Sequence, residues 1–321
     1  MLYDLLSGYI PAAGIPLLAA AVCLIATYLC LRFPPAFLPK DQGRAFAVNG
    51  ALSKGKTRGV GLIMVLVFLI TSLLLLPFSK EYTIYSALLF LMMLSGYLDD
   101  ASKNPWSDYK KGAIDLIISV LAVANFLMQN DSGVYFFESR FMLHPVLYSI
   151  LGIVLIWVSV NVTNCSDGVD GLCGSVSVVA LTAYGLIFKD QMGEGYMTCA
   201  LMFAAVILAY LRFNWSPSTM LMGDAGSRAI GFWLAILAMK SRHPFSFLLL
   251  GLVFILDGGL GLVKVFIMRF LKIPFLKSIR FPLHDQLRKN MGWKDVPVVL
   301  LMIGCQIVLS LITALLLRIA G

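Results

Sequence analysis

The sequence predicts an all-α membrane protein in which about ten helices cross the bilayer. Hydrophobic residues make up 60% of the 321 residues and charged residues only 13%, whereas soluble domains are about 45–50% apolar. Apolar segments close to the roughly 17–25 residues that a membrane-spanning helix needs recur along the whole chain. The connections between them are too short to fold separately, so residues 1–321 are expected to form one integral membrane domain.

Ten segments of the chain are predicted to span the membrane. In order they are 11–33, 59–78, 82–98, 112–128, 145–163, 172–188, 196–211, 228–240, 244–266 and 297–317. Each is an apolar run bounded by polar or charged residues. The eighth is short, which makes it the weakest candidate by length.

The distribution of Lys and Arg predicts the orientation, because cytoplasmic loops carry an excess of both. Loops after the odd-numbered segments hold 17 of these residues, and loops after the even-numbered segments hold 5. The odd loops are therefore expected in the cytoplasm and both termini outside. This bias accounts for most of the net charge of +8, and the basic loops would also attract anionic membrane lipids or a phosphorylated substrate. No soluble surface remains for nucleic-acid binding.

Four polar motifs interrupt the apolar chain, and all of them fall in or beside the predicted cytoplasmic loops. They are Asp99-Asp100, the run from Asn161 to Gly171, the run from Gly223 to Ser227, and the run from Pro282 to Asp285. Carboxylates are unfavourable beside hydrocarbon and are rarely kept there without a function. Their placement at one face of the membrane predicts a site for a metal ion and phosphate groups.

The pair Asp99-Asp100 closes the third segment, where the helix dipole disfavours negative charge. A hard cation such as Mg²⁺ would offset both this effect and the mutual repulsion of the two acids. The alternative is a solvated helix end that begins a polar loop. Lys103 could reach a phosphate or a base edge from here, or pair with the acids.

The run from Asn161 to Gly171 is the most specific of the four motifs. Asn164, Asp167 and Asp170 bring oxygen-bearing side chains to one short stretch at the membrane edge, and the two Asp-Gly steps favour a turn that lets the backbone approach a ligand. Packing alone does not account for this concentration of polar groups. A ligand-binding role is therefore predicted for this run.

Two further motifs supply single candidate groups. Asp224, flanked by Gly223, is predicted to be a third metal ligand. His284 lies in a basic loop, where it is either an ordinary hydrogen-bonding residue or a group that holds a substrate phosphate. Within the ninth segment, Asp257 and Lys264 lie seven residues apart and are predicted to neutralise one another.

The order of the four motifs resembles that of the polyprenyl-phosphate N-acetylhexosamine 1-phosphate transferases. The resemblance covers nearly the whole chain. The stretch Pro282-Leu283-His284, followed by Gly292-Trp293 and Val298-Val299, is most similar to the phospho-N-acetylmuramoyl-pentapeptide transferases, or MraY group, of that superfamily.

This resemblance implies a reaction: transfer of phospho-MurNAc-pentapeptide from UDP-MurNAc-pentapeptide to undecaprenyl phosphate, with Mg²⁺, to give lipid I and UMP. It implies a cytosolic active site in the bacterial cytoplasmic membrane. The resemblance, and no pattern in the residues, also suggests a homodimer.

Roles for individual residues follow from the same resemblance. Asp99 would position or deprotonate the lipid phosphate, and Asp224 would bind Mg²⁺ with Asp100 nearby. The remaining positions correspond to substrate contacts: Asn164 and Asp167 for the sugar and nucleoside, Lys103 and Asp170 for uracil, Gly223 beside the metal ligand, and His284 for a phosphate.

Several positions depart from the family pattern. Leu221 stands where a Phe usually stacks on uracil, and Asp285 and Gln286 replace two of three consecutive histidines. The usual Thr-Pro-Thr-Met-Gly-Gly segment is replaced around 54–61, so no roles are assigned there. An undecaprenyl-phosphate GlcNAc-1-phosphate transferase is therefore an alternative, and a cation-coupled transporter is a more distant one.

Overall fold

The computed structural model describes residues 14–43, 53–77, 79–136, 139–274, 276 and 278–320. Some sequence predictions lie outside the described residues. They are positions 11–13 of the first predicted span, Phe78 at the end of the second, and two members of the charge count, Arg44 and Lys277.

The fold is built almost entirely from helices, and each of the ten predicted segments contains one. The helices are α1 Ile15–Arg32, α2 Gly61–Leu75, α3 Lys80–Ala101, α4 Asp108–Gln129, α5 Pro145–Cys165, α6 Leu172–Ile187, α7 Lys189–Asn214, α8 Gly223–Lys240, the two arms of α9 at Pro244–Leu250 and Leu252–Leu271, the short α10 Leu283–Asp285 with a following π-helical turn Gln286–Asn290, and α11 Asp295–Ala320. The helical fold class predicted from the sequence is confirmed.

Within the described part of the chain, six helices are long and apolar enough to cross a membrane: α1, α3, α4, α5, α7 and α11. The arms of α9 meet at 64° and add a seventh if they form one span. Helices α2 and α6 are apolar but have only 15 and 16 residues. The protein is therefore a multi-pass membrane protein with six to seven candidate spans by length and composition, fewer than the ten predicted.

Among the described residues, a small hairpin is the exception to the helical pattern. Strands β1 Gly133–Phe136 and β2 Ser139–Met142 pair antiparallel in the connection between α4 and α5. Asp131 fastens this hairpin, because its carboxylate accepts from the backbone N–H of Gly133 at 2.8 Å and from Arg140 at 2.7 Å. The sequence analysis did not predict these strands.

Helix α8, the shortest predicted span, is the most enclosed helix of the described fold. Every residue from Gly223 to Met239 is buried. Trp233 packs edge-on against Phe68 of α2 at 5.4 Å and Tyr82 of α3 at 6.1 Å between ring centroids. Phe68 in turn stacks on Phe203 of α7 at 4.7 Å. Helices α2, α3, α5, α6 and α7 all pack against α8.

Glycines set how closely the helices approach α8. A methyl group on Gly96 of α3 would overlap the backbone of Asp224, and one on Gly61 of α2 would overlap the backbone of Gly226. Small residues of this kind allow helix backbones to come into contact in membrane proteins. The close approach brings the last turn of α3 against the first turn of α8, where the predicted acids lie.

Candidate active site

The acids of two distant motifs meet through two cationic side chains. Arg58 Nε lies 2.8 Å from Asp100 Oδ1, and Arg58 Nη2 lies 3.5 Å from Asp224 Oδ1. Lys111 Nζ lies 2.5 Å from Asp99 Oδ2 and 3.4 Å from Asp224 Oδ2. Asp99, Asp100 and Asp224 therefore form one acid cluster, as the predicted common site requires.

The acid cluster is shielded from solvent and held by backbone groups. The side chains of Asp99, Asp100 and Asp224 are only 6%, 0% and 11% exposed. The N–H of Trp106 donates to Asp99 at 2.7 Å, and the N–H of Ala225 donates to Asp100 at 3.3 Å. Buried carboxylates stay ionised only with such donors or with nearby cations.

Gly223 contributes space to the acid cluster. Its φ of +66° is readily adopted only by glycine. A Cβ at this position would also collide with the carboxylate of Asp100. The glycine therefore allows Asp100 to sit directly against the first turn of α8.

Arg58 joins the acid cluster to the segment before α2. Its Nη1 lies 3.2 Å from Asp41 Oδ1, so the guanidinium contacts three carboxylates. Burial lowers the pKa of Arg58, while Asp100, Asp224 and Asp41 raise it, and the net direction is upward. Arg58 therefore remains a cation. The sequence analysis left this segment unassigned, and its only local signal was a basic residue before a span.

A cavity of about 620 Å³ opens beside Arg58. Five of the residues singled out from the sequence line it: Asp167, Asp170, Leu221, Gly223 and His284. Lys56, Asp285 and Arg288 line it as well. The cavity therefore combines carboxylates, amide-rich loops and cationic groups, a lining suited to a polar, negatively charged ligand.

Asp170 is fixed on the wall of the cavity by the loop before α8. Its Oδ2 accepts from the backbone N–H of Ser218 at 2.8 Å and lies 3.6 Å from Lys56 Nζ. Lys56 also donates to the hydroxyl of Ser218 at 2.9 Å. Asn164, by contrast, does not line the cavity, because its amide donates to the hydroxyl of Ser227 in α8 at 2.9 Å.

His284 is a buried residue held by Asp257 of α9. Its Nδ1 lies 2.8 Å from Asp257 Oδ2, and its backbone N–H donates to Asp257 Oδ1 at 2.8 Å. Because a carboxylate only accepts, Nδ1 carries the hydrogen and the Nε2 edge faces Gly168. The predicted pairing of Asp257 with Lys264 was therefore wrong: Lys264 donates instead to the carbonyl of Ile279 at 2.7 Å.

The lysine at the acid cluster is Lys111, which the sequence analysis missed. Lys103 is exposed in the turn between α3 and α4, and it does not line the cavity. Lys111 lies in the first turn of α4, which the tight connection brings back against the end of α3. No sequence signal separated Lys111 from its neighbour Lys110, whose ammonium instead lies 3.3 Å from the centre of the Trp106 ring.

The donor chemistry of the acid cluster fits a hard divalent cation. Its side-chain donors are all carboxylate oxygens, which Mg²⁺ prefers. Arg58 and Lys111 stand between these carboxylates, and among the described residues no three His, Cys, Asp or Glu side chains form a ready metal site. A cation would therefore be held by Asp100 and Asp224 only after these ion pairs adjust.

Comparison with known proteins identifies the family. Residues 82–242 match glycosyl transferase family 4. A phospho-N-acetylmuramoyl-pentapeptide-transferase of Treponema pallidum is 37% identical over 319 residues, which cover 93% of this chain and 87% of the relative. The chain belongs to the phospho-N-acetylmuramoyl-pentapeptide-transferase family. The resemblance stated from the motifs is thereby confirmed.

More distant members of this transferase family agree. The protein of the same name from Dictyoglomus turgidum is 30% identical over 268 residues, covering 81% of this chain and 84% of the relative. That of Clostridium beijerinckii is 29% identical over 300 residues, covering 87% and 90%. The segment matched by the family runs from α3 through α8 and so contains the whole acid cluster.

Proposed function

We propose that this transferase moves phospho-MurNAc-pentapeptide from UDP-MurNAc-pentapeptide to undecaprenyl phosphate, giving lipid I and UMP in peptidoglycan synthesis. The observation that carries the proposal is the buried acid cluster beside a 620 Å³ polar cavity in a chain 37% identical to a curated transferase of this name. The cavity is within the size range of small-molecule binding sites, and Asp100 and Asp224 contact Arg58, which lines it.

The proposed location is the bacterial cytoplasmic membrane, with the active site on the cytosolic face. The excess of Lys and Arg in the loops that carry the motifs supports this orientation. We retain ten crossings with both termini outside as the proposed topology, in which the shorter helices α2, α6 and α8 also cross. The enclosure of α8 by other helices supports its place inside the bundle, because charged residues in a span face the interior.

The acids are proposed to act on the phosphates of both substrates. Asp99 would position or deprotonate the phosphate of undecaprenyl phosphate, which attacks the sugar-bearing phosphorus. The second pKa of a phosphate monoester is about 6, so little base strength is needed. Lys111, already paired with Asp99, would steady the negative charge that accumulates there.

A Mg²⁺ ion is the proposed cofactor, held by Asp224 and Asp100. When bound, it would supply charge neutralisation for the diphosphate. Phosphoryl transfer depends chiefly on positioning and electrostatics. The protein would hold both substrates beside the acid cluster.

The remaining residues are proposed to bind the donor. Asp170 would contact uracil from its fixed place beside Lys56, with Leu221 as the apolar surface under the base. Asn164 and Asp167 would contact the sugar and nucleoside. Asp167 lines the cavity, whereas Asn164 lies beside α8 and would contact the donor where it extends beyond the cavity. Lys103, which is exposed, would reach the uracil only from outside the cavity.

His284 is proposed to donate to a substrate phosphate from Nε2–H, in the form of the ring that carries hydrogen on both nitrogens, since Nδ1–H already donates to Asp257. Asp257 fixes the ring orientation by accepting from Nδ1, the arrangement that commonly orients functional histidines. Asp285 and Gln286, which replace the usual second and third histidines, would leave this role to His284 alone.

A donor comparison tests the proposed function. Purified protein is supplied with undecaprenyl phosphate, Mg²⁺ and either UDP-MurNAc-pentapeptide or UDP-GlcNAc, and UMP release is measured. UMP is expected from the first donor, and the Asp224→Asn variant should release it at least about a hundredfold more slowly. UMP from UDP-GlcNAc alone would contradict the proposal and favour the GlcNAc-1-phosphate alternative. Cation flux into liposomes without UMP formation would favour a transporter.

A further inference from the structure

We infer that Arg58 is a positioning residue for Asp100 and Asp224, and that it competes with the divalent cation for these two carboxylates. The inference rests on the proposed function, since it concerns the acids assigned to the cation. It assigns a role to a residue in the segment where this chain departs from the family pattern.

The contacts of Arg58 divide its guanidinium among three carboxylates. Nε faces Asp100 at 2.8 Å, Nη2 faces Asp224 at 3.5 Å and Nη1 faces Asp41 at 3.2 Å. These acids come from the end of α3, the start of α8 and the segment after α1. All three nitrogens of the planar fork are engaged, which a lysine ammonium could not reproduce.

Asp100 depends on Arg58 more than the other acids do. Its side chain is fully buried, and among the contacts of the described residues Arg58 is its ionic partner, with a single backbone N–H from Ala225 besides. Asp224 has Lys111 as a second cation. A buried carboxylate without a counter-charge is strongly disfavoured, so Arg58 supplies the charge that offsets the burial of Asp100 and holds Asp100 beside Asp224.

Asp41 anchors Arg58 outside the acid cluster. The carboxylate of Asp41 is held by its own loop, where it accepts from the hydroxyl of Ser53 at 2.5 Å and from the N–H of Gly43 at 3.1 Å. The backbone N–H of Arg58 donates to the carbonyl of Pro39 at 2.9 Å. With this tether, Arg58 can give up Asp100 and Asp224 to a cation and still line the cavity.

The electrostatic consequence has a definite sign. Arg58 neutralises the same two carboxylates, Asp100 and Asp224, that would hold the cation, so its charge opposes cation binding. Like charges held close together repel each other most strongly where water is excluded, so Arg58 and a divalent cation at the same carboxylates oppose one another. Loss of Arg58 should therefore tighten divalent-cation binding while it disturbs the geometry that catalysis needs.

The test measures cation binding directly, in detergent-solubilised full-length protein without substrates. Mn²⁺ is titrated by electron paramagnetic resonance into the wild type, Arg58→Ala, Arg58→Lys and Lys56→Ala. Lys56→Ala is the matched control. It removes a positive charge from the same cavity lining, but Lys56 contacts Asp170 and not the acid cluster. The Mn²⁺ dissociation constant is expected to fall by about tenfold in Arg58→Ala and by less than about twofold in Lys56→Ala.

Turnover provides the second readout. Arg58→Ala should release UMP at least about tenfold more slowly in spite of tighter cation binding. Arg58→Lys should show an intermediate change in both the Mn²⁺ dissociation constant and the rate of UMP release. If thermal unfolding shows that Arg58→Ala does not fold, the Arg58→Lys values test the inference.

The outcomes separate this inference from the proposed function. Unchanged or weaker Mn²⁺ binding in folded Arg58→Ala and Arg58→Lys, with normal binding in the wild type, would overturn the inference and leave the transfer reaction standing. A wild type that releases UMP but binds no Mn²⁺ would overturn the competition and the metal assignment together. Failure to release UMP from either donor, with Mn²⁺ bound, would count against the proposed function alone.

Discussion

Helices α3 and α8 run antiparallel, and each carries ionised side chains at both ends. At one end the last turn of α3 and the first turn of α8 form the acid cluster, which opens toward a cavity. At the other end Glu81 of α3 and Lys240 of α8 form a closed ion pair. The same two helices thus show two ways in which charged side chains are accommodated inside a membrane protein.

The closed end is matched group for group. Lys240 Nζ lies 2.9 Å from Glu81 Oε2, and Asn130 donates to Glu81 at 2.7 Å while accepting from Lys240 at 3.1 Å. The ammonium also lies 4.7 Å from the ring centre of Tyr196. Glu81 at a helix N-terminus and Lys240 at a helix C-terminus are both favoured by the helix dipoles. The charges, helix dipoles and hydrogen bonds of Glu81, Lys240 and Asn130 are all satisfied here without a ligand.

The open end is not balanced in this way. Asp99 and Asp100 lie at the C-terminus of α3, where the dipole opposes them, and they share two cations with Asp224. Such an arrangement is stabilised further by a ligand that brings charge, whereas the closed end is complete. The difference indicates a stabilising role for the ion pair at the closed end, and it supports the proposed role of the acid cluster in binding and chemistry.

The largest expected effect on turnover comes from neutralising the acids. Asp99→Asn, Asp100→Asn and Asp224→Asn should each lower the rate of UMP release by at least about a hundredfold, the scale of a lost electrostatic contact in an active site. Folding should persist, since Arg58 and Lys111 each keep at least one other carboxylate partner in every single variant. Asp131→Asn, in the hairpin connection, is the control and should retain its rate. Near-normal rates in all three variants would refute the site.

A smaller effect should distinguish the two lysines near the acid cluster. Lys111→Met should lower turnover by about tenfold or more, because a charge-assisted hydrogen bond contributes about 1.5–3 kcal/mol. Lys103→Met should change turnover by less than about threefold, because Lys103 is exposed and does not line the cavity. Steady-state rates of UMP release at saturating donor decide between them. A larger loss of turnover in Lys103→Met than in Lys111→Met would favour the substrate contact predicted for Lys103 from the sequence.

The smallest effect on turnover should come from the closed end. Glu81→Gln or Lys240→Met should destabilise the protein by about 3 kcal/mol, the usual result of leaving one buried charge unpaired, and should change turnover by less than about twofold. Chemical denaturation in detergent measures the first quantity. The double variant should recover part of the lost stability. A large loss of turnover in folded single variants would show that the two ends are coupled, contrary to the comparison.

Sequence reasoning predicted most of the helical fold for a simple physical reason. The length of an apolar run and its polar ends are local properties, so each of the ten predicted segments contains a helix. Whether a helix can cross a membrane depends also on distant parts of the chain. Helix α8 contains Asp224 and Arg228, and other helices enclose both residues. Arg228 is neutralised by Asp115 of α4, a partner 113 residues away that no local pattern indicates.

For the site, the sequence by itself determined which residue types were available and which motifs were unusual for their surroundings. Asp99, Asp100 and Asp224 stood out because carboxylates beside apolar helices are unfavourable and are rarely kept without a function. Only the tertiary structure decided the partners: Arg58 and Lys111 for the acids, and Asp257 for His284. Pairing between distant segments depends on helix packing, here the close approach at Gly96 and Gly61, and a buried charge is stabilised by whichever opposite charge that packing brings within reach.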